Sequence, residues 1–175
     1  MKLKESAGLL LFRRSGPEPE VFLVHPGGPF WASKDLGVWT IPKGRPEPGE
    51  DHLTTARREF QEETGFTPGP DLPIKRSPDD PIHPVPFHPL GTIQQVGGKI
   101  VTAFAIEGDC DPALLTSNSC TIEWPPRSGH HLDIPEIDRG AWFTLPTAAQ
   151  HILPTQQPFL HRLQALLEQS PRPGA

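Results

Sequence analysis

Three glutamates, Glu59, Glu62 and Glu63, stand within the run Arg58-Glu59-Phe60-Gln61-Glu62-Glu63-Thr64-Gly65-Phe66. At 3.6 residues per helical turn, spacings of three and four place the three carboxylates on one face. Like charges so arranged cost a few tenths of a kcal/mol per pair, so the cluster is disfavoured unless a cation, a lysine or an arginine sits among them. A set of hard oxygen donors suits Mg2+ or Mn2+, which bind through a few carboxylates and the phosphates of a substrate. The competing reading is a solvated, charged helix face. Arg58 admits two partners, a surface pair with Glu62 one turn further on or a bridge back to Glu50 that fixes the preceding loop; the bridge is the expected one. Lys43, Arg45 and Arg57 are the nearest cations for phosphate oxygens, each with a solvated alternative.

The elements that must position these groups are legible nearby. Asp51 is suited to cap a helix and Gly65 to stop one in the left-handed conformation, so a helix is expected over His52 to Thr64. Leu53, Ala56 and Phe60 then form its buried stripe, about a hundred degrees round from the carboxylates. The run Gly37 to Lys43 reads as a short strand that delivers the chain to Gly44.

Taken whole, Gly44 to Phe66 resembles the Nudix hydrolase signature, Gly-x5-Glu-x7-Arg-Glu-U-x-Glu-Glu-x-Gly-U with U apolar. Gly44, Glu50, Arg58, Glu59, Phe60, Glu62, Glu63, Gly65 and Phe66 fill every specified position. Trp39 to Gly49 is similar to the approach to the motif in many members. The resemblance implies an α/β fold, an α/β/α sandwich with a mixed β-sheet, and hydrolysis of a nucleoside diphosphate linked to another group. It implies that Glu59, Glu62, Glu63 and the Gly44 carbonyl hold the divalent cation. The general base is then a glutamate of the motif helix, with Glu136 in DIPEIDRGAWF as the second candidate. Substrate choice leans towards a nucleoside polyphosphate, an NTP or a dinucleoside polyphosphate. ADP-ribose or a nucleotide sugar is the alternative, with Pro81 near the position that some ADP-ribose enzymes fill with proline. Two further readings, a catalytically dead nucleotide sensor and an isomerase, remain beside hydrolysis, although a sensor is expected to have lost one or more of the carboxylates.

The remainder bounds the setting. A chain of 175 residues without a composition shift is expected to form one domain over residues 1–170, with a frayed tail at 171–175. A net charge of −5 argues against general nucleic-acid or anionic-membrane binding, leaving a small nucleotide as the expected partner. The start has an apolar run too short for a signal or a membrane span, so a cytoplasmic protein is expected. Cys110 and Cys120 lack zinc-ligand or paired spacing and read as buried thiols. Strands are expected at Ala7 to Phe12 and Val21 to Val24. A hairpin should turn at Gly97-Gly98, a short strand at Thr121 to Trp124, and a last strand from Gly140. Pro146 is placed to open a helix that Pro154 ends, and Phe159, Leu160, Leu163, Leu166 and Leu167 line another. Thr67 to Pro89 carries eight of the 24 prolines and is expected to be a stiff wall of the substrate pocket, with His83 and Phe87 as contacts. Trp124 and Arg127 are further candidate contacts, and His25 is expected to be structural.

Overall fold

The computed structural model describes residues 4–69 and 85–170. Strands β1 (Glu5–Arg13), β2 (Glu20–Pro26), β3 (Lys43–Gly44), β4 (His88–Gln94) and β5 (Ile100–Glu107) surround helix α1 (His52–Thr64) in sequence. A ribbon of β6 (Ser119–Glu123) and β7 (His131–Pro135) follows, then β8 (Ile137–Thr144), α2 (Leu145–His151) and α3 (Gln157–Gln169). The main sheet runs β4-β5-β1-β2-β8, with β3 also paired to β1. Only β1 and β5 are parallel, from Glu5 opposite Ile100 to Phe12 opposite Glu107. Between them in sequence lie β2, β3, α1 and β4, the long connection that a parallel pair requires.

Both faces of β1 are buried, so it reads as a continuous apolar run. Ala7, Leu9 and Leu11 face Ala56 and Phe60 of α1, whereas Leu10 and Phe12 face Phe159, Leu160 and Leu163 of α3 with Ala148 of α2. This is the expected three-layer arrangement. Phe60 is fully buried, and its truncation to alanine should cost about 3–5 kcal/mol. Leu53 is only half-buried, because the helix turns Thr55, Ala56, Phe60 and Thr64 inwards in its place.

One irregularity of the sheet builds the site. β2 pairs with β1 only at Phe12–Val21 and Arg13–Glu20, while β3 takes the other half of β1 at Ala7–Gly44 and Gly8–Lys43. The segment Thr40–Gly44 is therefore wedged between two strands that diverge. Leu9 donates to the Pro42 carbonyl (3.0 Å), and Val24 bridges Thr40. Gly8 allows the approach, since a Cβ there would stand 2.7 Å from both the Lys43 Cβ and the Pro42 oxygen. On the other side, the buried Gln156 accepts from the Ile41 N–H (3.1 Å) and donates to Thr40 Oγ1 (2.9 Å). The strand expected over residues 37–43 is thus reduced to β3 and two isolated bridges, at Trp39 and Thr40.

The remaining differences are local. β4 starts at His88, so the proline-rich segment ends two residues earlier than expected. β6 pairs with β7, a strand whose polar outer residues hide its period in the sequence. The last strand begins at Ile137 rather than Gly140, and α2 ends at His151, with Pro154 opening a 3-10 turn instead. Among the described residues no helix is long and apolar enough to cross a membrane.

Candidate active site

The wedge sets Lys43 and Gly44 against the acidic side of α1. The helix is held at both ends as its sequence suggests: Asp51 accepts from the Thr54 N–H (2.9 Å), and Gly65 is left-handed at φ 78°, donating to the Gln61 carbonyl (2.8 Å). A Cβ at Gly44 would run into the carboxyl of Glu59, so the bare backbone is what lets that carboxylate lie on the wedge. Glu63 turns the same way, is 8% exposed, and accepts from the Lys43 N–H (3.1 Å). Burial pushes the Glu63 carboxyl up to about 8; the Lys43 charge opposes this, and Glu59 and Glu136 add to it. The Glu59 carboxyl is raised as well, by burial first, with Arg58 opposing and Glu62 and Glu136 adding.

Arg58 joins the helix to the loop before it. Its Nε donates to Glu50 Oε1 (3.0 Å) and one terminal nitrogen to Glu50 Oε2 (2.9 Å), a bidentate clamp that also reaches the Arg45 carbonyl (2.9 Å). The other terminal nitrogen donates to Glu59 Oε1 (2.9 Å) and contacts Glu62 (3.3 Å). The bridge to Glu50 is thus present, and so is the surface pair with Glu62. The clamp, a Glu47 N–H and the Thr55 hydroxyl hold the Glu50 carboxyl down at about 2.

The three glutamates do not converge. Glu59 and Glu63 face the wedge, while Glu62, about 100° round the helix from Glu63, stays exposed beside Arg58. Among the described residues no three acidic, histidine or cysteine side chains stand close enough together to hold an ion. Glu136 enters from the β7–β8 junction, where its N–H donates to the Asn118 carbonyl (2.9 Å), and its charge acts on both Glu59 and Glu63. Arg57 points elsewhere, its guanidinium 5.5 Å from the centre of the Phe87 ring. Phe87 itself packs against the core beneath α1. His83, Pro81 and most of the proline-rich segment lie outside the described residues.

Lys99, just after the Gly97-Gly98 turn, went unnoticed in the sequence. It is half-buried, and its ammonium is lowered by burial and by the charges of Lys43 and Arg45, while Glu63 and Glu59 oppose the shift. Lys43, Arg45 and Lys99 therefore form one group of cations bordering Glu59 and Glu63. A lysine directly after a Gly-Gly turn reads as turn solubility, and only the parallel pairing of β5 with β1 carries it to the wedge. Cys110 is buried and Cys120 half-buried, both as free thiols. His25 is wholly buried between Asp138 and the Lys34 carbonyl, consistent with a structural role.

The chain matches the NUDIX domain family over residues 2–163. It belongs to the Nudix family. A curated relative, the asymmetrical bis(5'-nucleosyl)-tetraphosphatase of Sus scrofa, is 40% identical over 70 residues, covering 37% of this chain and 44% of that protein. The match thus spans less than half the length of the relative. Among solved structures, a C. elegans Ap4A hydrolase binary complex superposes with a TM-score of 0.63 at 22% identity, over 94% of this chain and 98% of that one. The NUDIX domain of Shewanella oneidensis NrtR complexed with ADP ribose gives 0.58 at 16% identity, over 95% and 90%. At those identities the likeness is one of fold, and this chain shares the Nudix sandwich with an Ap4A hydrolase and with NrtR alike.

Proposed function

We propose that this Nudix protein is a divalent-metal-dependent pyrophosphohydrolase acting on a nucleoside polyphosphate, with a dinucleoside polyphosphate as the first candidate. The observation that carries the reading is the juxtaposition of the buried Glu63 and half-buried Glu59 carboxylates with the cations of Lys43, Arg45 and Lys99. Carboxylates raised by burial and by one another's charge, with a third, Glu136, nearby, are a donor set that fits Mg2+ or Mn2+. Glu59, Glu62, Glu63 and the Gly44 carbonyl are the groups that would hold the cation, with Glu62 turning in from Arg58. When bound, such a cation neutralises charge on phosphate oxygens and acidifies a water.

The chain's own groups supply the rest. Lys43, Arg45 and Lys99 bind and orient the phosphate chain from the side of the wedge. Arg58, through Glu50 and the Arg45 carbonyl, fixes the loop that carries Arg45 and follows Lys43, so that stretch is set before substrate arrives. A glutamate of α1 takes the proton of the attacking water; Glu136, half-buried and without an ion-pair partner among the described residues, is the second candidate for that role. The preference for dinucleoside polyphosphates rests on the 40% local identity to the tetraphosphatase.

The test is a panel of dinucleoside polyphosphates, nucleoside triphosphates, ADP-ribose and nucleotide sugars, incubated with Mg2+ or Mn2+ and resolved by chromatography. Release of a nucleotide from a dinucleoside polyphosphate at the highest kcat/KM is expected. Binding of nucleotides without turnover of any would make the protein a sensor. Activity confined to ADP-ribose would move the substrate class.

A further inference from the structure

We propose that the loop after β2 is a preformed platform on which a nucleobase of the substrate stacks, with Phe30 as the stacking ring and Trp31 braced edge to face against it; the identity of the occupant rests on the nucleotide reading above. Phe30 is 52% exposed, and it meets Trp31 edge to face with ring centres 4.7 Å apart. Lys34 lies over both rings, its Nζ 3.4 Å from the centre of Phe30 and 5.0 Å from that of Trp31, and it forms no ion pair among the described residues. An aromatic pair with a cation against it is the pairing that a base with an attached phosphate matches, the rings for the π-face and the ammonium for the charge.

The loop is rigid and tied to the candidate active site. The Trp31 N–H donates to Gly28 (3.2 Å) and the Lys34 N–H to Trp31 (2.8 Å), making two successive turns. The buried His25 closes the loop by hydrogen bonding to the Lys34 carbonyl (2.7 Å). Asp35 anchors its far end on the Trp39 indole N–H (2.9 Å). At its near end Gly27 donates to the Glu136 carbonyl (2.9 Å), and a Cβ on Gly28 would stand 2.6 Å from Ile134 of the ribbon. Phe30 is three residues from Gly27, at most about 10 Å of chain. The platform therefore borders Glu136, whose charge reaches Glu59 and Glu63. Packing of this kind costs little on binding, because the rings are already in place.

The test compares binding of AMP with that of inorganic pyrophosphate by calorimetry, for the unaltered protein and for Phe30→Ala and Trp31→Ala, with circular dichroism to verify folding. Phe30→Ala should weaken AMP about 10- to 100-fold and Trp31→Ala less, while neither should weaken pyrophosphate more than about twofold. Trp31→Phe, which keeps a ring, should restore AMP affinity to within a few-fold. AMP affinity unchanged in both alanine variants, or equal losses for the two ligands, would overturn the platform. So would a change of oligomeric state in Phe30→Ala on analytical ultracentrifugation with AMP affinity intact, which would make the rings a self-association patch. Hydrolysis of the substrate panel reports separately on the proposed reaction: turnover with no base discrimination removes the platform alone, and AMP selectivity without any turnover removes the hydrolase alone.

Discussion

Gly44→Ala should damage function while sparing the fold. The Cβ it adds would overlap the Glu59 carboxyl, and an ordinary separation of about 3.5 Å requires that carboxylate to retreat by at least about 1 Å. What must move is the far end of a flexible side chain rather than backbone. The structural cost is then the Glu59–Arg58 contact at 2.9 Å, about 1 kcal/mol, or roughly 2–4 °C in thermal midpoint. A 1 Å misplacement of a reacting group costs about 10²-fold in rate, so kcat should fall by that factor. Gly8→Ala is the contrasting case. Its Cβ would meet the Pro42 backbone oxygen at 2.7 Å, so the wedge itself must shift and the midpoint should drop much further. Differential scanning calorimetry and steady-state kinetics on both variants give the comparison. A Gly44→Ala protein that keeps its kcat would show that the placement of the Glu59 carboxylate does not matter to the reaction. One that unfolds would show that Gly44 serves the sheet.

Arg58→Ala removes the clamp on Glu50 and the bond to the Arg45 carbonyl, and should lower the thermal midpoint by roughly 3–6 °C; no change by calorimetry would reduce the clamp to a surface pair. Glu63→Gln keeps an oxygen to accept from the Lys43 N–H, so it should stay folded by circular dichroism yet lose about 10²-fold or more in kcat. Glu62→Gln, with only an exposed pair to Arg58 to lose, should also fold and lose most of its activity. The Glu50 carboxyl, at about 2, and that of Asp51, lowered by the Thr54 N–H and hydroxyl, both lie below their ordinary values. The unfolded chain therefore binds protons first, and their contribution to stability is complete above the ordinary carboxylate range and lost as pH falls towards 2. Thermal midpoints should decline as pH falls from the ordinary carboxylate range towards 2, and less steeply in Glu50→Gln; above that range the raised Glu63 and Glu59 carboxyls act in the opposite direction.

Helix α1 was legible because its signals are local: the Asp51 cap, the Gly65 stop and the spacing of Glu59, Glu62 and Glu63 each act within a turn or two. The layering was implied by the resemblance, and the buried faces of β1 and α3 followed from their apolar patterns. What escaped was set by pairing at a distance. No local pattern shows that β2 leaves β1 halfway so that Thr40–Gly44 can enter, yet that divergence brings Gly44 to Glu59 and the Lys43 N–H to Glu63. Lys99 was missed for the same reason, its position depending on the β5–β1 register. The spacing of the glutamates suggested one gathered face, and the structure separates Glu62 from the other two because the wedge shelters one edge of that face only.

The central claim is that the acidic side of α1 hydrolyses a phosphoanhydride with a divalent cation as its partner. Turnover of a dinucleoside tetraphosphate, followed by chromatography while Mg2+ and then Mn2+ are titrated into chelator-treated protein, tests it directly. Saturable activity that rises from a blank baseline, with a weaker cation dependence in Glu63→Gln, is the predicted result; full turnover in excess chelator would contradict it.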